Sequence, residues 1–131
     1  NIPLVIEANN STTERKLKEL ANDISGNVHE LTSNQRQILH AGAVFVNNFP
    51  NHLFYLAEKL LKKHKLDFKL YHALILSTIE SAMQNPKAAQ TGPAKRNDVK
   101  TMNAHLKLLP DKNYKAIYKL LSKSITDLYN E

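Results

Sequence analysis

Three groups of polar residues in this sequence have the types and spacing to bind or protonate a small ligand. The first group, His40, Asn47, Asn48 and Asn51, lies within one predicted helix. At about 100° per residue, His40, Asn47 and Asn51 share a face, and Asn48 lies beside it. Asparagine is unfavourable inside a helix because its amide competes for backbone hydrogen bonds. A ligand, the backbone groups freed by Pro50, or polar contacts across a subunit interface would offset that cost.

The second group is the polar segment Gln90–Asp98, which separates two helical patterns. Gly92 and Pro93 break a helix, so the segment is predicted to be a loop. Arg96 offers forked donors to an anionic group, and Gly92 lets the backbone approach a ligand closely. The alternative is structural: Arg96 pairs with a carboxylate, and Asp98 caps the following helix.

The third candidate is His105, seven residues after Asp98. Imidazole titrates near neutrality, so His105 is a candidate general acid or base. A single helical histidine also serves as a structural hydrogen-bonding group, and both interpretations stay open. The other histidines show no metal-ligand spacing, and we therefore predict no metal site.

A short β-α-β unit is predicted to precede the long helix. The apolar run at residues 2–8 predicts a strand, and residues 28–31 predict a second one. Between them, Ser11–Glu14 has capping-box spacing for a helix that Gly26 would end. Two short parallel strands cannot cover their edges, so we expect a severed part of a larger sheet. The alternative is that residues 2–8 form an extended arm across the helices.

The rest of the chain is predicted to be helical. A capping box at Thr32–Gln35 begins a long helix toward Lys65, with a kink near Asn47 to Pro50. Three further helices are expected after Asp67, Asp98 and Asp111, each with an aspartate cap. The residues predicted to face inward on the first and last of these are Phe68, Tyr71, Leu74, Ile75 and Ile79, then Tyr114, Ile117, Tyr118, Leu121, Ile125 and Leu128.

Composition narrows the classes of function. The chain has 131 residues, a net charge of +6, three glycines and no cysteine. It therefore has no disulfides, and it lacks the glycine-rich dinucleotide and phosphate-loop fingerprints. We find no membrane-spanning run and no signal peptide. Most of the cations are lysines on helix faces, which are commonly solvated, so the charge favours nucleic-acid binding only weakly. The missing initial Met suggests a processed or excised piece.

The residues themselves resemble a known group of proteins. The stretch His40-Ala41-Gly42-Ala43-Val44-Phe45-Val46-Asn47-Asn48-Phe49, then Thr91-Gly92-Pro93-Ala94-Lys95-Arg96-Asn97-Asp98, then His105-Leu106 carry the likeness. They resemble the C-terminal helical domain, a domain of unknown function, of Rossmann-like NADP-dependent oxidoreductases. Those proteins are similar in plan to pyrroline-5-carboxylate reductase and 6-phosphogluconate dehydrogenase-like enzymes. The likeness extends from about residue 1 to residue 129, and the family commonly has glycine where this chain has Asn97.

The resemblance implies a mainly α fold, a 6-phosphogluconate dehydrogenase C-terminal-like helical domain with a short N-terminal β-α-β remnant of a Rossmann sheet. Residues 1–31 would complete a dinucleotide-binding domain, and residues 32–131 would form the helical dimerisation and substrate domain. It implies a cytoplasmic homodimer that uses NADP or NAD, bound mainly by a domain absent from this chain. The implied catalytic residues are His40 and His105, and the implied substrate-binding residues are Asn48, Thr91, Gly92, Pro93, Arg96 and Asp98.

Three functions follow as hypotheses. The first is a domain of a reductase that transfers hydride to a small carbonyl or imine, inactive as an isolated chain. Here His40 or His105 would donate a proton, Asn48 would orient the substrate, and Arg96 would anchor its carboxylate or phosphate. The second is a non-enzymatic helical interaction module that binds nucleic acid through its lysine faces. The third is a dimerisation domain whose polar loop contacts no ligand.

Overall fold

The computed structural model describes residues 2–129 and is mainly helical. Contacts divide the chain into two compact units, Asn1–His52 and Leu53–Glu131. This division falls within one helix and differs from the expected domain boundary between residues 31 and 32, which stays a prediction. The outermost residues of both predicted domains lie outside the described part of the chain.

The first unit begins with a parallel β-α-β arrangement. Strand β1 (Leu4–Ile6) pairs with β2 (Val28–Glu30), and helix α1 (Ser11–Ile24) connects them. The register places Leu4 opposite Val28 and Ile6 opposite Glu30. A crossover helix is the usual way to join two neighbouring parallel strands. The predicted β-α-β unit is therefore present, with strands shorter than the apolar runs that predicted them.

The start of α1 differs from the predicted one by one residue, and its end agrees with the prediction. The N-terminal cap is Asn10, whose side chain accepts a hydrogen bond from the Thr13 amide at 2.8 Å. The predicted cap, Ser11, is already helical, whereas Asn10 has the extended backbone that a cap requires. At the other end, Ser25 leaves the helix in an extended conformation, and its hydroxyl donates to the Ile2 carbonyl at 2.6 Å. Ser25 is therefore the C-terminal cap, and Gly26 occupies the next position, where the sequence predicted the helix to stop.

The sheet stays narrow throughout residues 2–129. It contains two strands in this part of the chain, so each of them has one side without a strand neighbour. Backbone groups on an open strand side are unpaired, and two strands alone are marginally stable in water. The arm alternative is excluded because β1 pairs in register with β2. The expectation of an incomplete sheet fits this arrangement.

One continuous helical segment follows β2. It consists of α2 (Ser33–Ala43), a π-helical turn (Val44–Asn48) and α3 (Phe49–Lys63). The predicted capping box is confirmed, because the Thr32 side chain accepts from the Gln35 amide and the Gln35 side chain accepts from the Thr32 amide. The expected single helix is confirmed as well. Its irregularity is a π-turn just before Pro50, where a kink was predicted.

The second unit contains the remainder of α3 and the helices after it. A short 3-10 helix over Phe68–Tyr71 leads into α4 (His72–Gln84) and then α5 (Pro86–Ala89). After the polar loop come α6 (Val99–Leu108) and α7 (Lys112–Tyr129). The predicted aspartate caps are present, since the carboxylates of Asp67, Asp98 and Asp111 accept backbone amides of the turns that follow them.

Few side chains are buried within residues 2–129. The buried apolar residues are Ala21, Leu61 and Ala94, and no large side chain is fully enclosed. Several residues predicted to face inward are exposed, among them Leu74 at 62% and Leu128 at 54%. The apolar stripes are present on these helices, and within residues 2–129 much of their surface is exposed.

Candidate functional site

The polar loop is held by its own backbone. Gly92 has a φ of +98° and Asn97 a φ of 50°, both in the left-handed region. The Asp98 amide donates to the Pro93 carbonyl at 2.9 Å, and the Asn97 amide donates to the Ala94 carbonyl at 3.2 Å. Apart from the chain neighbours of Gly92, no heavy atom lies within 4 Å of the position that a Cβ would take there. Glycine is therefore needed at this position for its backbone angle.

Two side chains fasten this loop to the rest of the second unit. Ala94 is buried, and its carbonyl accepts a hydrogen bond from the Thr126 hydroxyl at 3.1 Å. The Lys95 ammonium donates to the Gln90 carbonyl at 2.7 Å and lies 5.0 Å from the centre of the Tyr129 ring. The start and the middle of the loop are therefore fixed, and Arg96, two residues after Ala94, projects from a rigid base.

Arg96 is the exposed cation of that tip. Within residues 2–129, no carboxylate lies within the 4.0 Å ion-pair distance of its guanidinium. The alternative in which Arg96 pairs with a carboxylate is therefore not realised in the described part of the chain. An exposed guanidinium on a fixed loop can bind a planar anion by donating two parallel hydrogen bonds to it. Thr91, also exposed, lies in the same loop.

Asp98 acts as a helix cap. Its two oxygens accept from the Thr101 amide at 3.0 Å and from the Thr101 hydroxyl at 2.7 Å. These hydrogen bonds, with the positive charge of Arg96 adding a smaller effect, lower the pKa of Asp98. Both carboxylate oxygens of Asp98 are thus hydrogen-bonded to the first turn of α6. Direct contact between Asp98 and a substrate stays a prediction.

His105 is paired with a residue that the sequence did not single out for chemistry. Its Nδ1 lies 2.9 Å from the Tyr118 hydroxyl, and the two rings meet edge to face with centroids 5.9 Å apart. The contact joins α6 to α7 and fixes the orientation of the imidazole. Tyr118 was assigned only to an apolar stripe. The signal that could have found it is that a partly buried tyrosine hydroxyl needs a hydrogen-bond partner.

Tyr118 also lines a cavity of about 280 Å³ between α6 and α7. Polar and apolar side chains share its wall, including Asn103, Met102 and Ser122. His105 does not line this cavity. The His105–Tyr118 pair therefore connects the predicted catalytic histidine to the edge of a cleft without placing the imidazole inside it.

His40 and Asn48 lie in the first unit, on α2 and in the π-turn respectively, and both are exposed. The other six predicted site residues lie in the second unit, where the loop brings together Thr91, Gly92, Pro93, Arg96 and Asp98. The roles assigned to these eight residues stay predictions.

A polar cluster around Glu7, in the first unit, was not predicted from the sequence. Glu7, directly after β1, accepts from the Ser33 hydroxyl at 2.8 Å and forms an ion pair with Arg36. The Ser33 hydrogen bond, followed by the Arg36 charge, lowers the pKa of Glu7. The cluster ties the end of a strand to the start of α2. Glu7 is distant in sequence from Ser33 and Arg36, so their spacing gave no signal.

Residues 2–129 contain no group of three histidine, aspartate or glutamate side chains placed to hold a metal ion. None of the helices over this range combines the length and apolar character that crossing a bilayer requires.

Two solved structures are similar to this chain in fold. The fold, a helical domain preceded by a two-stranded parallel sheet, is similar to that of half of a candidate NADP oxidoreductase. A crystal structure of a candidate NADP oxidoreductase from Bacteroides fragilis matches with a TM-score of 0.91 and 41% identity, over 97% of this chain and 50% of that one. A protein from Thermotoga maritima matches with a TM-score of 0.74 and 22% identity, over 96% of this chain and 52% of that one.

The family follows from the sequence itself. Residues 2–125 match the family of a domain of unknown function, DUF2520, and the chain belongs to that family. No match was found among curated proteins. The chain spans about half the length of the solved structures that it matches. The resemblance and the mainly α fold inferred from the sequence are confirmed.

Proposed function

We propose that this chain is the helical substrate and dimerisation domain of an NAD(P)-dependent oxidoreductase that acts on a small carbonyl or imine. The observation that carries the proposal is the 41% identity, at a TM-score of 0.91, to a candidate NADP oxidoreductase over nearly the whole chain. Similarity at that level supports a domain of such an enzyme. Its substrate and dimerisation roles rest on the geometry of the loop and of the exposed helices.

The described residues do not fit a dinucleotide by themselves. The turn after β1, residues 7–10, contains no glycine, and the chain lacks the glycine fingerprint that cradles a pyrophosphate. NADP, or NAD, would be bound mainly by a domain that this chain does not contain. When bound, the nicotinamide supplies the hydride, and the residues of this chain bind, orient and protonate the substrate.

Arg96 is the residue to which we assign substrate anchoring. Its guanidinium is exposed on a fixed loop and has no carboxylate within ion-pair distance among residues 2–129. A carboxylate or phosphate on the substrate would be the ion-pair partner of this guanidinium. Thr91 and the backbone around Gly92 and Pro93 would shape the same end of the site, while Asp98 holds the loop against α6.

Proton donation is assigned to His40 or His105, and substrate orientation to Asn48. His105 would act with Tyr118, whose hydroxyl lies 2.9 Å from Nδ1 and leaves Nε2 as the nitrogen that can face a ligand. His40 and Asn48 would act from the long helix. A homodimer in the cytoplasm completes the proposal, and the exposed apolar side chains of α4 support the dimer.

The test of this function uses the protein that joins this chain to its dinucleotide-binding domain, with NADPH and a panel of small 2-oxo acids and cyclic imines. Arg96→Ala should raise KM for an anionic substrate about 10- to 100-fold and change kcat little, because one charge-assisted contact is lost. Arg15→Ala, which removes an exposed cation of α1, is the matched control and should leave both constants unchanged.

Two results would count against the proposal. An unchanged KM in the Arg96→Ala variant for every substrate that is turned over would favour a purely structural loop. NADPH oxidation by the isolated chain would contradict the assignment of cofactor binding to another domain. Nucleic-acid binding stays the alternative, and it predicts an affinity that falls steeply with added salt.

A further inference from the structure

The long helix changes its hydrogen-bond pattern beside the asparagines. The Val44 amide donates to the His40 carbonyl, four residues back, as in an ordinary α-helix. The Phe49 amide donates to the Val44 carbonyl, five residues back. One residue more than usual therefore fits into this turn, and Asn47 and Asn48 both lie within it.

Pro50 accounts for the position of the extra residue. Proline has no amide hydrogen, and its ring collides with the carbonyl four residues earlier, which here belongs to Val46. A π-turn moves that carbonyl away without ending the helix, and π-turns of this kind are frequent at functional sites. Helix α3 continues without a gap from Phe49, so the chain absorbs Pro50 by inserting a residue.

The insertion changes which asparagine shares a face with His40. In an uninterrupted α-helix the match is Asn47, because seven steps of about 100° come within about 20° of two full turns. With one residue inserted, eight steps cover the same rotation, and Asn48 takes that place. Asn47 is then turned away from the His40 face by most of a quarter circle. Both His40 and Asn48 are exposed on the helix.

We propose that Pro50 is a positioning residue, whose π-turn places Asn48 rather than Asn47 on the His40 face and so selects the asparagine that contacts the ligand. The inference rests on the proposed function for the ligand, whereas the placement stands on the backbone alone. His40 and Asn48 are two helical turns apart, about 11 Å along the axis. The ligand groups that they contact must therefore extend along the helix.

The placement is tested by NMR on the same joined protein, without any substrate. Scalar couplings across hydrogen bonds report which carbonyl accepts from the Phe49 amide. The natural chain should show coupling to Val44, and Pro50→Ala should shift it to Phe45, the α-helical acceptor. Alanine favours helix, and Pro50→Leu is a second variant that retains an apolar side chain. Coupling that stays at Val44 in both variants would overturn the role of Pro50.

The selection of Asn48 over Asn47 is tested by replacing each asparagine with alanine, once in the natural helix and once in the Pro50→Ala background. The kinetics are measured in the same joined protein with NADPH and the best substrate of the panel. In the natural helix, Asn48→Ala should lower kcat/KM at least tenfold more than Asn47→Ala. In the Pro50→Ala background the order should reverse, a result that a purely structural effect of Pro50 would not produce. The same order in both backgrounds would overturn the selection.

The two tests separate this inference from the function on which it rests. If the natural protein turns over no substrate of the panel, the proposed function fails, and the couplings of Phe49 still decide the role of Pro50 in placing Asn48. If turnover is present but the asparagines do not exchange their importance, the function stands and the positioning role fails.

Discussion

Asn97 shows how one backbone angle can be read from the sequence at the scale of a residue. The related family commonly has glycine at this position, and asparagine, which also tolerates a positive φ, is expected to keep the same turn. The observed φ of 50° agrees with that expectation. The angle is what lets the Asp98 amide turn back to the Pro93 carbonyl. The residue type thus predicted the turn, whereas the partners of the turn could not be known.

Replacement of Asn97 gives the first prediction. Asn97→Ala should lower the free energy of unfolding by about 1 kcal/mol, because alanine is strained in the left-handed region. Asn97→Gly should leave it within about 0.5 kcal/mol of the natural value, since glycine adopts that angle freely but adds entropy to the unfolded chain. Urea unfolding followed by circular dichroism measures both. Asn22→Ala, at an exposed position of α1, is the control, and equal losses from Asn97→Ala and Asn97→Gly would contradict this explanation.

At the scale of elements, local signals predicted more than tertiary ones. The Thr32–Gln35 capping box and the cap at Asp98 were found in the sequence because each depends on residues within one turn. The π-turn was missed, since Pro50 predicts a disturbance but not how the helix absorbs it. The pairing of His105 with Tyr118 was missed because it needs two helices to meet.

The Glu7 cluster gives a pH prediction at this scale. Hydrogen bonding from Ser33, and then the charge of Arg36, lowers the pKa of Glu7 from 4.5. A lowered pKa in the folded chain stabilises it above the unfolded pKa, and this stabilisation is lost as the pH falls through the folded value. Glu7→Gln should therefore destabilise the chain near neutral pH, and the difference from the natural chain should shrink below about pH 4.5.

Urea unfolding of the natural and Glu7→Gln chains across this pH range measures the difference. Asp23→Asn removes an exposed carboxylate of α1 and is the matched control, for which a much smaller and flatter difference is expected. A difference between the natural and Glu7→Gln chains that grows on acidification would show that the carboxylate does not stabilise the link between β1 and α2.

At the scale of the whole molecule, the sequence predicted apolar stripes but not what covers them. Periodicity identifies the apolar residues of a helix, and it contains no information about whether their cover comes from the same chain. On α4, Leu76 is 62% exposed and Met83 is 84% exposed. Contiguous exposed apolar side chains of this kind mark interaction surfaces. A second copy of the chain is the partner that we propose for them.

Met83 tests the dimer. We expect the natural chain to dimerise, and Met83→Asp should weaken the dimer at least tenfold, because a carboxylate would be buried without a partner. Sedimentation velocity over a range of concentrations measures the dissociation constant. Thr12→Asp, which adds the same charge in the exposed first turn of α1, is the control. A natural chain that sediments as a monomer at every concentration would remove dimerisation from the proposal.

The narrow sheet has a practical consequence for anyone who produces this polypeptide. The outer backbone amides and carbonyls of β1 and β2 are a template on which an extended segment of another molecule can add a strand. The border that would continue a larger sheet can therefore also link copies into precipitates. Yield and shelf life should depend on whether another strand or domain covers that border. Co-production with the dinucleotide-binding domain is the direct remedy.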